Sequence, residues 1–268
     1  MKTSGYRYRI LALLFIATTI NYLDRSILGV LATTLRDHVF GWSMEDYSYV
    51  TIAFQLGYTI GLLFMGALID KVGVRIGYAL SITVWSVFSL AHAFVQPAFS
   101  LLGFIVVRFG LGVGEAGNFP ACTKVIAEWF PQRQRGLATG AVNAGTNMGA
   151  VLAPALVLML VEQNGNNWQL VFVLTSFFSA TWLVTWLSVY TKPELNPRVT
   201  PAELRFIQAG SPPETGSKLQ WRSVLACRET WAFSILKITD AVWWFFCFGV
   251  AFFWQTNSSS ASAVLVCL

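Results

Sequence analysis

Four charged residues stand inside long apolar stretches of this chain. Asp24 and Arg25 lie side by side in ATTINYLDRSILGVL (17–31), and Arg108 and Glu115 open and close RFGLGVGE (108–115). A charge at the centre of a bilayer costs about 2.5–3.5 kcal/mol on insertion scales, so such residues face a bundle interior and mark a pathway. Adjacent helix positions point about 100° apart, so Asp24 and Arg25 do not pair face to face. Each needs a partner elsewhere, or water. Arg108 and Glu115 are two turns apart on one helix face, about 10 Å along the axis. With spans one and four facing each other, two acids and two arginines line one cavity.

The charge balance of that set suggests a chemistry. With Asp24 and Glu115 ionised, the cavity is neutral. Protonating both leaves two arginines unpaired, and arginine forks match carboxylates bidentately. A protonated site then attracts an organic anion and an unprotonated one releases it. The competing expectation is a set of buried ion pairs that only hold helices together, although such pairs are weak stabilisers. Lys237 and Asp240, three apart in a later span, read as a local pair that lessens the cost of burial.

The elements that position these residues follow from composition. Of the 268 residues, 55% are hydrophobic and 12% charged, with mean hydropathy +0.58. Soluble domains carry about 25% charged residues, so this is an integral membrane protein in contact with the lipid bilayer. A spanning helix needs about 20 mostly apolar residues. Such runs occur at 10–35, 47–69, 76–96, 99–128, 136–161, 168–190 and 231–254. In lipid these must be helices, because the backbone has no other partner. Ser43-Met-Glu-Asp46 is a capping-box-like start for the second span. Pro97, Pro131 and NGNN (164–167) separate later ones. The first run is too long for a signal-peptide core and lacks a cleavage site, so no cleavable leader is expected.

With the N-terminus cytoplasmic, inner segments hold 14 of the 18 basic residues, so the net charge of +5 is a topology signal. A nucleic-acid partner is not expected. Four cysteines show no metal spacing and read as small hydrophobes, so neither a metal nor a cofactor is expected. His38 and His92 are placed near outer edges without a role. GxxxG pairs at Gly136/Gly140 and Gly145/Gly149 predict close helix packing.

The proposed organisation is a six-helix bundle over 1–190, a cytoplasmic linker over 191–230, a seventh span over 231–254 and an aberrant tail over 255–268. TPAELRFIQAG (200–210) in the linker predicts a short helix, with Thr200 as cap and Gly210 as stop. No nucleophile–base set appears, so an enzyme is not expected.

The loop GALIDKVGVRIG (66–77), with Gly66, Asp70, Lys71, Gly73 and Arg75, resembles the signature loop of the major facilitator superfamily. Its glycines allow a tight turn and its charges latch onto neighbouring helix ends. ATTINYLDRSILGVL, GYTIGLLFMGALIDKVGVRIGY (57–78), RFGLGVGEAGNFPACTKVIAEWFPQRQRGLATG (108–140) and NAGTNMGAVLAP (143–154) resemble the anion:cation symporters of that superfamily, above all bacterial hexuronate and sugar-acid transporters. The resemblance covers about residues 7–246. It implies an all-α membrane protein: a six-helix N-terminal half plus one further transmembrane helix, lacking the C-terminal half that completes a site between two halves.

The resemblance also implies proton-coupled symport of a hexuronate or related sugar acid across a bacterial inner membrane. Asp24 and Glu115 fall on the proton sites. Arg25 falls on the contact to the substrate carboxylate, Tyr58 on a tyrosine near the sugar and Arg108 on the coupling arginine. Asn143 and Asn147 are candidates for a polar contact from the fifth span. Two other readings stand beside it: a transporter of another organic or phosphorylated anion, sodium-coupled or not, and a non-transporting membrane sensor or partner subunit. The tail FFWQTNSSSASAVLVCL departs from the family, so the chain reads as truncated or frame-shifted and is not expected to support uptake alone.

Overall fold

The structure, a computed structural model, describes residues 5–162 and 166–208, and most residues between 226 and 239. The chain divides into two units, Met1–Ser211 and Pro212–Leu268. In the first, α1 (Tyr6–Thr34) runs on into a π-helical turn (Leu35–Phe40). Then come α2 (Met44–Val72), α3 (Val74–His92), α4 (Ser100–Glu115), α5 (Asn118–Trp129), α6 (Gln132–Leu160), α7 (Trp168–Val189) and the short α8 (Pro201–Gln208). In the second unit the described residues are mostly helical, and Ser234 Oγ donates to the Thr230 carbonyl at 2.8 Å. Most of the expected seventh span, with Lys237 and Asp240, lies outside the described residues.

Among the described residues, six helical runs are long and apolar enough to cross a membrane, and they match the first six expected spans. The fourth differs in one respect. A single helix over 99–128 was expected, but the run breaks at Ala116–Gly117 into α4 and α5. Pro120 is the physical reason. Its ring would clash with the Ala116 carbonyl, and it has no N–H to offer that carbonyl. The break gives Glu115 the last position of α4 and Asn118 the first of α5.

Helix ends obey local rules. Ser43 Oγ accepts from the Asp46 N–H at 3.1 Å, and Asp46 Oδ2 accepts from the Ser43 N–H at 2.9 Å. That completes a capping box. Gly73, with φ 82°, makes the turn between α2 and α3 that a side chain would strain. In α8 the Glu203 N–H donates to Thr200 Oγ1 at 3.3 Å, the expected cap.

Glycines set how closely the long helices approach. A Cβ on Gly145 of α6 would lie 2.7 Å from the Phe15 carbonyl oxygen of α1, and one on Gly149 would lie 2.8 Å from the Leu23 nitrogen. On α2, a Cβ on Gly57 would fall on the Phe109 carbonyl of α4. Gly136 and Gly140 face open space. Only the second GxxxG pair therefore packs within this unit. Gly149→Leu is expected to destabilise the bundle by about 1–3 kcal/mol through overpacking, and Gly140→Leu to stay within about 0.5 kcal/mol. Denaturant unfolding in detergent distinguishes them; equal effects would contradict the packing.

The buried core forms two apolar clusters. Along α1 one ends at Ile20 and the other begins at Leu23. Between and beside them lies a buried polar layer: Asn21, Asp24, Ser89, Arg108, Glu115 and Thr175.

Candidate functional site

Asp24 and Arg25 diverge as their helix positions require. Arg25 donates from Nε and Nη2 to Glu115 Oε2, at 3.2 and 3.0 Å. Its guanidinium also lies 4.8, 5.1 and 4.6 Å from the ring centroids of Tyr22, Phe54 and Tyr58. Cations over aromatic faces are attracted by the ring quadrupole, so Tyr58 helps hold Arg25 in place. Asp24 turns the other way. Its Oδ1 accepts from Ser89 Oγ of α3 at 3.0 Å, and Ser89 Oγ lies 3.3 Å from Thr175 Oγ1 of α7.

Arg108 is 2% exposed, and its Nε and Nη2 have no hydrogen-bond partner among the described residues. A buried guanidinium without acceptors is costly. Arg25 and Arg108 both line a cleft of about 270 Å³ with Leu28, Gly29, Tyr47, Thr51, Phe54 and Gln55. The expectation that both acids and both arginines line one cavity is thus met in half. Arg25 and Arg108 line the cleft, while Asp24 and Glu115, each 1% exposed, lie outside its lining. The roughly 100° step along α1 sends Asp24 toward α3 while Arg25 faces the cleft.

Several contributors were not singled out from sequence. Tyr47, Thr51 and Gln55 recur every four residues, a polar stripe on an otherwise apolar helix, and that spacing was a readable signal. Ser89 and Thr175 carried no signal, since lone hydroxyls are common in apolar spans. His92 is the last residue of α3 and is fully buried there; its ring stacks on Phe172 at 4.7 Å, and Nδ1 lies 2.7 Å from the Phe88 carbonyl oxygen. Asn143 and Asn147 lie on an exposed face of α6, outside the cleft lining.

Two charges of the 66–77 motif reach neighbouring helices. Asp70 pairs with Lys124 of α5. Arg75 donates to the Leu187 carbonyl at 2.5 Å, and Trp186 Nε1 donates to the Arg75 carbonyl at 3.1 Å. Segment 66–77, expected as a loop, is helical except for Gly73, and it is thereby tied to α5 and α7. Gly66 meets open space and Lys71 is exposed.

A bundle of membrane-length helices with a buried charged layer beside a cleft is the architecture of a transporter half. Residues 14–265 match the family model of the Major Facilitator Superfamily, and the chain belongs to that superfamily. It is an integral membrane protein of a transporter family and not an enzyme. It is 31% identical over 247 residues to the hexuronate transporter of Escherichia coli strain K12, covering 90% of this chain and 56% of that protein. It is 29% identical to the galacturonate transporter of Dickeya chrysanthemi, over 90% of this chain and 70% of the relative. The chain therefore spans about half to two thirds of the length of these curated relatives. Among solved structures, the proton:xylose symporter XylE with bound 6-bromo-6-deoxy-D-glucose superimposes with a TM-score of 0.65 at 15% identity. That match covers 78% of this chain and 51% of the symporter, and it shows a shared fold.

Proposed function

We propose that this chain forms the N-terminal half of a proton-coupled symporter for an organic anion, a hexuronate or related sugar acid, in a bacterial inner membrane with its N-terminus inside. The observation that carries the reading is Arg108: a buried guanidinium with two unpartnered nitrogens, beside Arg25 on one cleft. Such a fork donates two parallel hydrogen bonds to a carboxylate. Names of the relatives support a sugar acid as the anion. Tyr47, Thr51 and Gln55 offer hydroxyl and amide groups to a polyhydroxylated ligand on the same cleft.

Asp24 and Glu115 supply the coupling. An ionised Glu115 holds Arg25 through their ion pair. Protonation of Glu115 frees that guanidinium for the substrate carboxylate, while protonation of Asp24 removes a negative charge near Arg108. Proton uptake and anion uptake then favour each other, as linked equilibria must. Binding of galacturonate to the gene's full product is expected to tighten as pH falls, as long as the sugar acid stays ionised. Arg108→Gln is expected to weaken it about tenfold to a hundredfold, the worth of a charged hydrogen bond. Isothermal calorimetry in detergent at several pH values measures both. Binding that is unaffected by pH and by Arg108→Gln would contradict the reading, and binding that requires sodium would favour a sodium-coupled anion carrier.

A further inference from the structure

Each buried carboxylate uses one oxygen and leaves the other without a partner. Glu115 Oε2 is bound by Arg25 and Asp24 Oδ1 by Ser89, while Glu115 Oε1 and Asp24 Oδ2 have none among the described residues. Asn21 is 0% exposed, and both its Oδ1 and Nδ2 are unpartnered as well. Leaving a buried polar group unsatisfied costs about 1–3 kcal/mol each, so each of these four atoms calls for a hydrogen-bond partner.

Around the axis of α1, Asn21 stands between Asp24 and Arg25, the partner of Glu115. It precedes Asp24 by three residues and Arg25 by four, so it shares their side of α1, about 60° and 40° away around the axis. Two contacts from α1 to the fourth span bracket it. One turn later Arg25 meets Glu115 at 3.0 Å, and nearly one turn earlier Thr18 Oγ1 accepts from Asn118 Nδ2 at 3.3 Å. Glu115 and Asn118 are themselves three apart across the α4–α5 break. Asn21 therefore lies, along α1, between the two positions that meet the stretch of the fourth span carrying Glu115.

We infer that Asn21 positions a bound water that bridges Asp24 Oδ2 and Glu115 Oε1 and makes the two carboxylates one proton-sharing unit. Water supplies three of the four missing partners: it donates two hydrogen bonds, one to each carboxylate oxygen, and accepts one from Asn21 Nδ2. When one acid is protonated, its proton passes to the water while the water releases another proton to the second carboxylate. The total charge of the unit is unchanged: the negative charge passes from one carboxylate to the other, and only O–H bonds form and break. The site then responds to protons as a pair. Arg25 and Tyr22 from α1, Tyr58 from α2, His92 from α3, Arg108 from α4 and Cys122 from α5 are the titratable and charged groups around it; α6 and α7 bring hydroxyls such as Thr175. Asn21 is a positioning residue.

This inference rests on the reading of Asp24 and Glu115 as proton-carrying groups, and infrared difference spectroscopy of the chain in lipid nanodiscs separates the two. Protonated carboxyls give C=O stretching bands that vanish on deprotonation and are assigned with Asp24→Asn and Glu115→Gln. The expected wild-type spectrum contains both bands, together with a water O–H band that shifts in H2-18O. Glu115→Gln is expected to move the midpoint of the Asp24 band by about one pH unit or more. In an Asn21→Leu background the water band is lost and the midpoint no longer responds, whereas Asn21→Ser, small and hydrogen-bonding, retains both. Circular dichroism checks that each variant is folded. Titrating carboxyl bands with no isotope-sensitive water in the wild type overturn the water bridge. Absence of any titrating carboxyl band overturns the underlying proton reading.

Discussion

Replacing Asp24 by Asn in the gene's full product is expected to abolish proton-driven accumulation of the sugar acid and to spare exchange. The carboxamide keeps the shape of the side chain and an oxygen that can accept from Ser89 Oγ, now at 3.0 Å. It cannot take up or release a proton. Each pH unit across the membrane is worth about 1.4 kcal/mol per coupled proton, or about tenfold in accumulation. Losing one of two coupled protons forfeits that factor per pH unit, and losing the paired site forfeits all of it. Proteoliposomes with an imposed pH gradient measure accumulation, and preloaded vesicles measure exchange. Accumulation equal to wild type would remove Asp24 from the coupling.

Arg25→Ala should have the largest effect on stability. It strands Glu115, which is 1% exposed and has Arg25 as its only protein partner among the described residues. Breaking one side of a buried ion pair costs about 3–5 kcal/mol, much of it from the uncompensated charge left behind. The double variant Arg25→Leu with Glu115→Leu is therefore expected to recover most of the stability, since an apolar pair of similar volume is often neutral or better. It should not recover anion binding, because the cleft has lost one of its two cations. Denaturant unfolding and calorimetric binding on the same samples decide it. If the double variant is as unstable as Arg25→Ala, stranding of Glu115 is not the cause.

Much of the fold was legible because lipid leaves the backbone few options. The six spans, the Ser43 cap and the α8 cap at Thr200 follow from apolar run length and local hydrogen bonding. The 66–77 motif was legible through its resemblance to the superfamily's signature, and the positive φ at Gly73 accounts for one of its glycines. The break at Ala116–Gly117 was only partly available: Pro120 removes a hydrogen bond to the Ala116 carbonyl, yet Pro154 lies inside the unbroken α6, so a proline in an apolar run does not by itself fix a break. At the site, residue spacing gave the divergence of Asp24 and Arg25. It could not give the partners, because which helix faces which is set by close approaches such as Gly57 against Phe109 and Gly149 against Leu23. For the same reason Ser89 and Thr175 were invisible, and so was the burial of His92 against Phe172.

Proton movement on adding substrate tests the central claim most directly. The gene's full product is reconstituted in lightly buffered proteoliposomes with no sodium and no imposed gradient, and external pH is followed as galacturonate is added outside. Co-transport of proton and anion predicts a rise in external pH that scales with substrate entry, is abolished by a protonophore and is lost in Asp24→Asn. Galacturonate entry with no change in external pH would contradict proton coupling, and no entry at all would contradict the assignment of a sugar acid to the Arg25–Arg108 cleft.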